Sequence, residues 1–167
     1  MEIIRLAPSH AKQYWQLRMK ALKEHPEAFL TSYEESLQQS RPIEQTAERL
    51  SNENNYTFGA FENGELIGMV TLLRESRKKI RHRANIYAMY VNDSNQGRGI
   101  GKALLQEAIA VAKTLPELKK INLAVVSGNH QAKKLYETLG FSVYGVEKFA
   151  LFVEGRYYDE EFMSLLL

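Results

Sequence analysis

The amino-acid sequence predicts a mixed α/β fold built as a single domain. Strand patterns and helix patterns alternate along the chain, and no low-complexity linker or repeat separates them. With 167 residues, 44% of them hydrophobic, the chain is long enough to bury about two-thirds of its unfolded surface without disulfides. We therefore expect residues 1–167 to form one domain.

The first third of the chain combines a strand with helices. Residues 3–6 form a short apolar strand, and Ser9 is placed to cap a helix that ends at His25-Pro26. Pro42 suits the first turn of another helix, whose apolar residues recur at helical spacing. The segment between these helices, residues 27–39, fits neither pattern well, so the sequence leaves its structure open.

Two strand patterns follow, YTFGAF and LIGMVTLL, and they flank Asn63 and Gly64. An Asn-Gly pair adopts positive φ readily and therefore predicts a tight antiparallel hairpin. The next strand, residues 84–91, alternates with the period of a sheet. The basic connection before it, residues 74–83, lacks interleaved aromatic residues for stacking on nucleic acid, and we interpret it as a solvated loop.

A glycine-rich segment follows this strand and leads directly into a helix pattern. Gly97, Gly99 and Gly101 leave main-chain N–H groups accessible, and the first helical turn adds unpaired donors and the positive end of its dipole. This order of strand, glycine loop and helix favours a bound phosphate or pyrophosphate. The segment does not fit a Walker loop, because Lys102 is followed by Ala103, and its G-R-G-I-G order departs from the dinucleotide fingerprint. From the glycines alone, a plain helix start is the alternative.

A second motif, SGNHQAKKLYETLGF, spans residues 127–141. One face of its helix is formed by the apolar residues Ala132, Leu135, Tyr136 and Leu139. Asn129 is placed to cap the start of the helix, and Gly140 followed by Phe141 predicts a glycine stop. Tyr136 is therefore expected to point inward, and its spacing alone favours an ordinary core tyrosine.

Together the two motifs resemble the signatures of the GNAT superfamily, the acyl-CoA-dependent N-acetyltransferases. Residues 96–101, QGRGIG, resemble the segment Q/R-x-x-G-x-G/A, and residues 127–141 are similar to G-N-x-x-A-x-x-L-Y-x-x-x-G-F, in the expected order. The strand IYAMYV resembles the family's central strand. The resemblance implies a central, mostly antiparallel mixed sheet of about seven strands, splayed at the cofactor site and flanked by about four helices.

The resemblance implies that acetyl-CoA is the co-substrate and enters the opening of the sheet. The main chain of Met89, Tyr90 and Val91 would pair with the pantetheine amides. The pyrophosphate would be wrapped by the loop residues Gln96, Gly97, Arg98, Gly99, Ile100, Gly101 and Lys102. Arg98, Lys102 or the pair Lys133-Lys134 would offer additional charge for the outer phosphates, and a solvated helix face is the alternative for each lysine.

The resemblance also implies direct transfer of the acetyl group to an amine. The hydroxyl of Tyr136 would protonate the leaving thiolate, and Asn129 would contact the cofactor arm. The absence of cysteine excludes an acyl-enzyme formed on a thiol. Many members carry a glutamate on the strand before the cofactor loop, but residues 85–91 contain no carboxylate. Glu34 and Glu35, which should border the acceptor side, and Asp159 near the C-terminus are the remaining candidates. A solvated surface position is the alternative for each, and the general base is unassigned.

The implied acceptor is a small amine, a polyamine, an amino acid or a protein N-terminus. An acetyl-CoA-binding sensor of the same fold, without acceptor chemistry, is the alternative, since the strand carboxylate is missing. The net charge of +2 gives no global attraction to nucleic acid or to a membrane. Four scattered histidines show no metal-ligand spacing, so we expect no metal.

The N-terminal sequence MEIIRLAPSH lacks the basic flank and apolar core of a targeting segment. No stretch approaches the ~20 apolar residues of a membrane span. We therefore expect a cytoplasmic location. Edge strands near the C-terminus make a homodimer a reasonable expectation.

Overall fold

The computed structural model describes all 167 residues and contains one seven-stranded sheet. The strands are β1 (Glu2–Arg5), β2 (Asn55–Glu62), β3 (Glu65–Arg74), β4 (Arg83–Val91), β5 (Lys120–Val126), β6 (Ser142–Val153) and β7 (Arg156–Leu166). Their spatial order is β1-β2-β3-β4-β5-β7-β6, and only β4 and β5 are parallel neighbours. The expected mixed, mostly antiparallel sheet is confirmed.

Five α-helices flank the sheet, one more than expected. They are α1 (Ala11–Glu24), α2 (Tyr33–Leu37), α3 (Pro42–Ser51), α4 (Ile100–Thr114) and α5 (His130–Thr138). The additional helix is α2, which lies in the segment that the sequence left open. A capping box starts it, because the Glu35 amide donates to Ser32 Oγ at 3.0 Å. None of the helices has the length and apolar character needed to cross a membrane.

The helix α1 begins later than the sequence predicts. Residues Pro8–His10 form a single 3-10 turn, and His10 Nδ1 accepts a hydrogen bond from the Ala7 amide at 2.9 Å. The α-helix starts only at Ala11, and no side chain caps it. The predicted Ser9 cap is wrong, because the turn that Pro8 initiates places Ser9 inside the turn instead of at the helix boundary.

The hairpin between β2 and β3 forms as predicted. Asn63 and Gly64 both have positive φ, 51° and 81°, as a type I′ turn requires. The turn closes on the pair Glu62 and Glu65, so these two strands share a fixed register.

The sheet separates two apolar clusters. The helix α4 covers one face with the fully buried residues Leu104, Leu105, Ala108 and Ala112. The other face is covered by α1 and α3 through Leu17, Ala21 and Leu50. Burying one leucine side chain contributes about 1.5–3 kcal/mol. The helix α4 is therefore held firmly against the sheet.

The strands β4 and β5 pair over only three residues and then separate. The paired residues are Arg83 with Lys120, Ala84 with Ile121 and Asn85 with Asn122. Beyond Asn85 the two strands diverge, while β5 stays paired with β7 along its whole length. The result is an opening between β4 and β5, called the wedge below. The expected splay of the sheet is confirmed.

The strand β6 forms one edge of the sheet and carries several apolar side chains on its exposed surface. Its exposed apolar side chains are Val143, Tyr144, Val146, Phe149 and Phe152. An apolar edge of this kind suits pairing with a second chain. The homodimer itself stays a prediction.

Candidate active site

The strand β4 is distorted where it borders the wedge. Between Tyr87 and Tyr90 it carries one more residue than the facing stretch of β3, and Ala88 within this bulge has φ +51°. Positive φ at a β-branched or alanine residue is strained, and such bulges occur next to active sites, where they redirect main-chain groups. The bulge thus lies where β4 has lost its pairing with β5.

The three β4 residues predicted to bind the cofactor differ in where their side chains lie. Tyr90 is buried, and its hydroxyl donates to Glu24 Oε2 at 2.8 Å. Burial and this carboxylate raise the pKa of Tyr90 well above its ordinary value. Val91 is buried in the α4-side cluster, and Met89 is half-buried. Because the side chains of Tyr90 and Val91 are buried, only the main chain of these two residues is available for contacts in the wedge.

The glycine loop is open toward solvent at the two positions where a ligand would approach it. Gly97 and Gly99 have φ of +75° and +78°, and no atom lies within 4 Å of where a Cβ would stand. Gly99 is also the N-cap of α4. The loop is tied to β4 by Gln96, whose Nε2 donates to the Val91 carbonyl at 3.2 Å and to Asp93 Oδ1 at 2.8 Å. Exposed main-chain donors at the start of a helix fit a phosphate group.

The remaining loop residues position the helix against its neighbours. Ile100 is 2% exposed and anchors the first turn in the core. A Cβ at Gly101 would stand 3.0 Å from the Met89 methyl group and 3.4 Å from a Leu135 methyl group, so glycine permits the close approach of α4 to β4 and α5. Lys102 is exposed and free to meet outer phosphates.

The side chain of Arg98 already has a partner. Its Nη1 donates to Glu62 Oε2 at 3.0 Å, and its Nη2 pairs with the other carboxylate oxygen. This bidentate pair lowers the pKa of Glu62. The guanidinium is thus held by the β2–β3 hairpin. To bind a phosphate, it would have to exchange the Glu62 carboxylate for a phosphate oxygen.

The helix α5 brings the second motif to the wedge. Asn129 Oδ1 accepts a hydrogen bond from the Ala132 amide at 3.1 Å, which confirms the predicted N-cap. Gly140 has φ +94°, which confirms the glycine stop. Tyr136 is 6% exposed and packs edge-on against Phe141 with ring centroids 6.0 Å apart. Burial raises the pKa of Tyr136 to about 12.

A cavity of about 790 Å³ adjoins the wedge on the side of the sheet covered by α1, α2 and α3. Tyr87, Ala88, Met89 and Tyr136 border it at the wedge. Its charged lining residues are Arg18, Arg49, Glu75, Arg83 and Glu160. No short motif marks these five residues, because they come from five separate segments of the chain. Tyr136 therefore borders both the wedge and this cavity, which is large enough for a small acceptor.

The acidic residues predicted for the acceptor side do not line this cavity. Glu34 is exposed, and Glu35 is occupied by the capping box, where its Oε2 accepts from the Ser32 amide at 3.0 Å. The carboxylates that do line the cavity are Glu75 and Glu160. Glu75 accepts from Asn85 Nδ2 at 2.8 Å.

Glu160 is the more unusual of the two cavity carboxylates. Burial and the nearby Glu147 raise the pKa of its carboxyl above the ordinary value. Glu160 lies on β7 and pairs across the sheet with Val126 of β5, beside the wedge. A carboxyl with a raised pKa in a cleft is a candidate for proton transfer.

The turn before the glycine loop is also fixed from the far side by α1. His25 Nε2 lies 2.9 Å from Asp93 Oδ1, and Lys20 Nζ donates to Asn92 Oδ1 at 2.6 Å. Asp93 in turn holds Gln96. The end of α1 and the loop therefore form one connected network.

The splayed sheet, the bulged central strand and the glycine loop define the class of protein. Residues 19–141 match the acetyltransferase (GNAT) family, and the chain belongs to this family. The chain is 35% identical over 103 residues to a spermidine N(1)-acetyltransferase from Vibrio cholerae, covering 60% of this chain and 57% of that protein. It is 28% identical over 102 residues to an L-amino acid N-acetyltransferase from Escherichia coli, covering 61% and 62%. The chain thus spans about three fifths of the length of these curated relatives.

Solved structures share the whole fold. An acetyltransferase of the GNAT family from Streptococcus pneumoniae superimposes with a TM-score of 0.89 at 26% identity, over 99% of both chains. A phosphinothricin acetyltransferase from Sinorhizobium meliloti, solved in complex with acetyl-CoA, gives a TM-score of 0.82 at 21% identity, over 99% of this chain and 88% of that one. The fold of this chain is therefore that of the family.

Proposed function

We propose that this chain is an N-acetyltransferase that moves the acetyl group of acetyl-CoA directly to a primary amine, with residues 1–167 acting as one domain. One observation carries the proposal: β4 separates from β5 at the wedge, Tyr136 borders a cavity of about 790 Å³ there, and the open glycine loop follows β4 in the chain. Family membership supports it, as does the acetyl-CoA complex of the Sinorhizobium meliloti relative in fold.

The chain's own groups suit the parts of acetyl-CoA. Main-chain amides of the loop from Gln96 to Lys102 would hold the pyrophosphate, because Gly97 and Gly99 leave room for its oxygens. The unpaired edge of β4 beyond Asn85 would pair with the pantetheine amides as another strand does. Asn129 would use its free amide N–H groups, since its oxygen is engaged in the helix cap. Acetyl-CoA supplies the activated acyl group when bound.

Tyr136 is the proposed donor to the leaving thiolate. Because its pKa is raised to about 12, its hydroxyl stays protonated at neutral pH. It can therefore donate a hydrogen bond or a proton but cannot serve as a base. Its position in the core beside Phe141 fixes the ring and so the direction of the O–H group.

Glu160 is the proposed acceptor of the proton that the attacking amine must lose. An amine arrives protonated at neutral pH, so a base or a water chain has to take this proton. Glu160 lines the cavity next to the wedge, and its raised pKa brings it closer to the working pH. It supplies the carboxylate that β4 lacks.

An acetyl-CoA sensor without acceptor chemistry is the competing function. Such a module needs the wedge and the loop, but it has no use for the part of the cavity that extends from the wedge under the helices and is lined by charged residues such as Arg18 and Arg49. The cavity therefore favours the enzyme.

A thiol-release assay tests the proposal. The full chain is incubated with acetyl-CoA and a panel of spermidine, L-amino acids and N-terminal peptides, and free coenzyme A is measured over the uncatalysed background. Calorimetry with acetyl-CoA is run in parallel. Binding with turnover of at least one amine is expected. Binding without turnover of any amine would favour the sensor, and no binding would refute both.

A further inference from the structure

The side chain of Arg18 lies in the acceptor cavity without a counter-charge. Its Nη1 is excluded from solvent and has no hydrogen-bond partner. Its guanidinium lies over the Phe29 ring, 4.5 Å from the centroid, so one face is packed. A buried cation is costly unless it is paired and hydrogen-bonded. This donor therefore has no hydrogen-bond acceptor in the structure, and the guanidinium has no carboxylate partner.

The surroundings of Arg18 add a second cation instead of a carboxylate. Burial lowers the pKa of Arg18, Tyr14 opposes this effect, and Arg49 lowers it further. Arg49 lines the same cavity and donates to Thr46 Oγ1 at 2.9 Å. Neither guanidinium takes part in any ion pair of the chain. Two positive charges thus face one chamber with no negative partner of their own.

The cavity also contains buried acceptors without donors. Gln39 Oε1 and Asn122 Oδ1 are both excluded from solvent and unpartnered, and both residues line the cavity. Asn122 belongs to the last residue pair before β4 and β5 separate, so it marks the base of the wedge. Arg18 comes from the helical wall of the cavity, whereas Asn122 and Glu160 come from the sheet. The helical wall of the cavity therefore offers an anion site at Arg18, and the sheet wall offers the Asn122 and Glu160 oxygens, which can accept hydrogen bonds from an amine.

Resting on the acetyltransferase function proposed above, we infer that the acceptor is a small amine that also carries a carboxylate, as an amino acid does. The carboxylate binds Arg18, with Arg49 adding charge, and the amine faces the wedge near Asn122. Arginine suits this role because its planar group binds a carboxylate through two parallel hydrogen bonds. A polyamine would instead bring further positive charge toward two guanidiniums, which disfavours it.

Matched acceptors test the inference. The full chain is assayed by thiol release with an L-amino acid, its carboxamide and the decarboxylated amine of the same side chain, together with spermidine. The expected kcat/KM of the amino acid exceeds that of each uncharged counterpart by about 10- to 100-fold, the range of one charge-assisted contact. The amino acid that gives the highest turnover is chosen from a panel of all L-amino acids.

Variants assign the effect to one side chain. Arg18→Gln is expected to raise KM for the amino acid at least about 10-fold and to leave KM for acetyl-CoA and turnover of the carboxamide unchanged, so that discrimination collapses. Arg18→Lys keeps the charge and is expected to retain part of the preference, which separates recognition from packing. Arg41→Gln is the control, since Arg41 is exposed at the start of α3. Thermal unfolding verifies that each variant folds.

The outcomes separate the inference from the function on which it rests. A preference for the carboxamide or for spermidine would overturn the inference and leave the transferase standing. Unchanged discrimination in both Arg18 variants would overturn the assignment of the carboxylate to Arg18. Acetyl-CoA binding with no turnover of any amine would overturn both the function and the inference.

Discussion

Tyr136→Phe is the perturbation that most directly separates catalysis from binding. The variant removes one oxygen from a side chain that is 6% exposed, while the edge-on contact with Phe141 stays in place. Burial alone accounts for the raised pKa of Tyr136, so no internal hydrogen bond is lost. We therefore expect the free energy of unfolding to be unchanged or slightly increased.

Two pKa values indicate how the Tyr136 hydroxyl acts, and the strength of its hydrogen bond then gives the size of the effect on turnover. The pKa of Tyr136 is about 12, whereas an alkyl thiol titrates near about 8.5. Complete proton transfer from the hydroxyl to the leaving thiolate is therefore uphill, and the hydroxyl acts mainly as a hydrogen-bond donor to developing negative charge. A hydrogen bond to a charged group contributes about 1.5–3 kcal/mol, which predicts a decrease in kcat of about 10- to 150-fold.

The assay is steady-state thiol release at saturating acceptor, with calorimetry for acetyl-CoA affinity. Affinity should change less than about threefold, because the loop and β4 carry the binding. Tyr157→Phe, on the exposed part of β7, is the matched control and should behave as the unmodified chain. A Tyr136→Phe variant with kcat within threefold of normal, or with equal losses of affinity and turnover, would refute the role of the hydroxyl.

Three further predictions concern the loop and the base. Gly99→Ala and its control Gly155→Ala both place alanine at a positive φ in an open turn. Each should lower the free energy of unfolding by about 1–2 kcal/mol, measured by thermal or urea unfolding. Only Gly99→Ala should weaken acetyl-CoA binding, by at least about 10-fold in calorimetry. Arg98→Gln should weaken that binding by less than about threefold, since main-chain donors dominate and Glu62 already holds the side chain; a larger loss would give Arg98 a direct role. Glu160→Gln should lower kcat/KM. Because the carboxyl must lose its proton to act as a base, the unmodified chain should lose activity at acidic pH, and the variant should not show this limb of the pH profile. The limb should lie above the ordinary glutamate pKa, since burial and Glu147 raise the pKa of Glu160. The folded state also holds that proton more tightly than the unfolded chain, so the unmodified chain should lose stability relative to Glu160→Gln as pH rises through the raised pKa; parallel stability curves would contradict this assignment.

The sequence predicts best what neighbouring residues determine. Asn63-Gly64 form the hairpin and Asn129 caps α5, because each depends on a few consecutive residues. The glycine loop belongs to the same group, since Gly97 and Gly99 adopt positive φ directly before α4. Family motifs then extend these local features to the order of the whole sheet.

Features that depend on distant residues are not visible in the sequence. The sequence indicates that Arg98 is a phosphate ligand, yet its guanidinium is bound by Glu62, which lies 36 residues away in the chain. Glu35 reads as an acceptor-side carboxylate, yet it caps a helix that the sequence left open. The charged side chains of Arg18 and Glu160 line the same cavity only because α1 and β7 both border it. No spacing rule connects residues so far apart in the chain.

The most direct test of the account is an NMR titration of the ¹⁵N-labelled chain with acetyl-CoA and, separately, with acetyl-pantetheine, which lacks the phosphates. Acetyl-CoA is expected to shift the amide resonances of Gly97, Gly99 and Gly101, whereas acetyl-pantetheine is expected to shift β4 residues and leave the loop unchanged. If both ligands perturbed the loop equally, or if acetyl-CoA left these glycine amides unchanged, the loop would not be the pyrophosphate site.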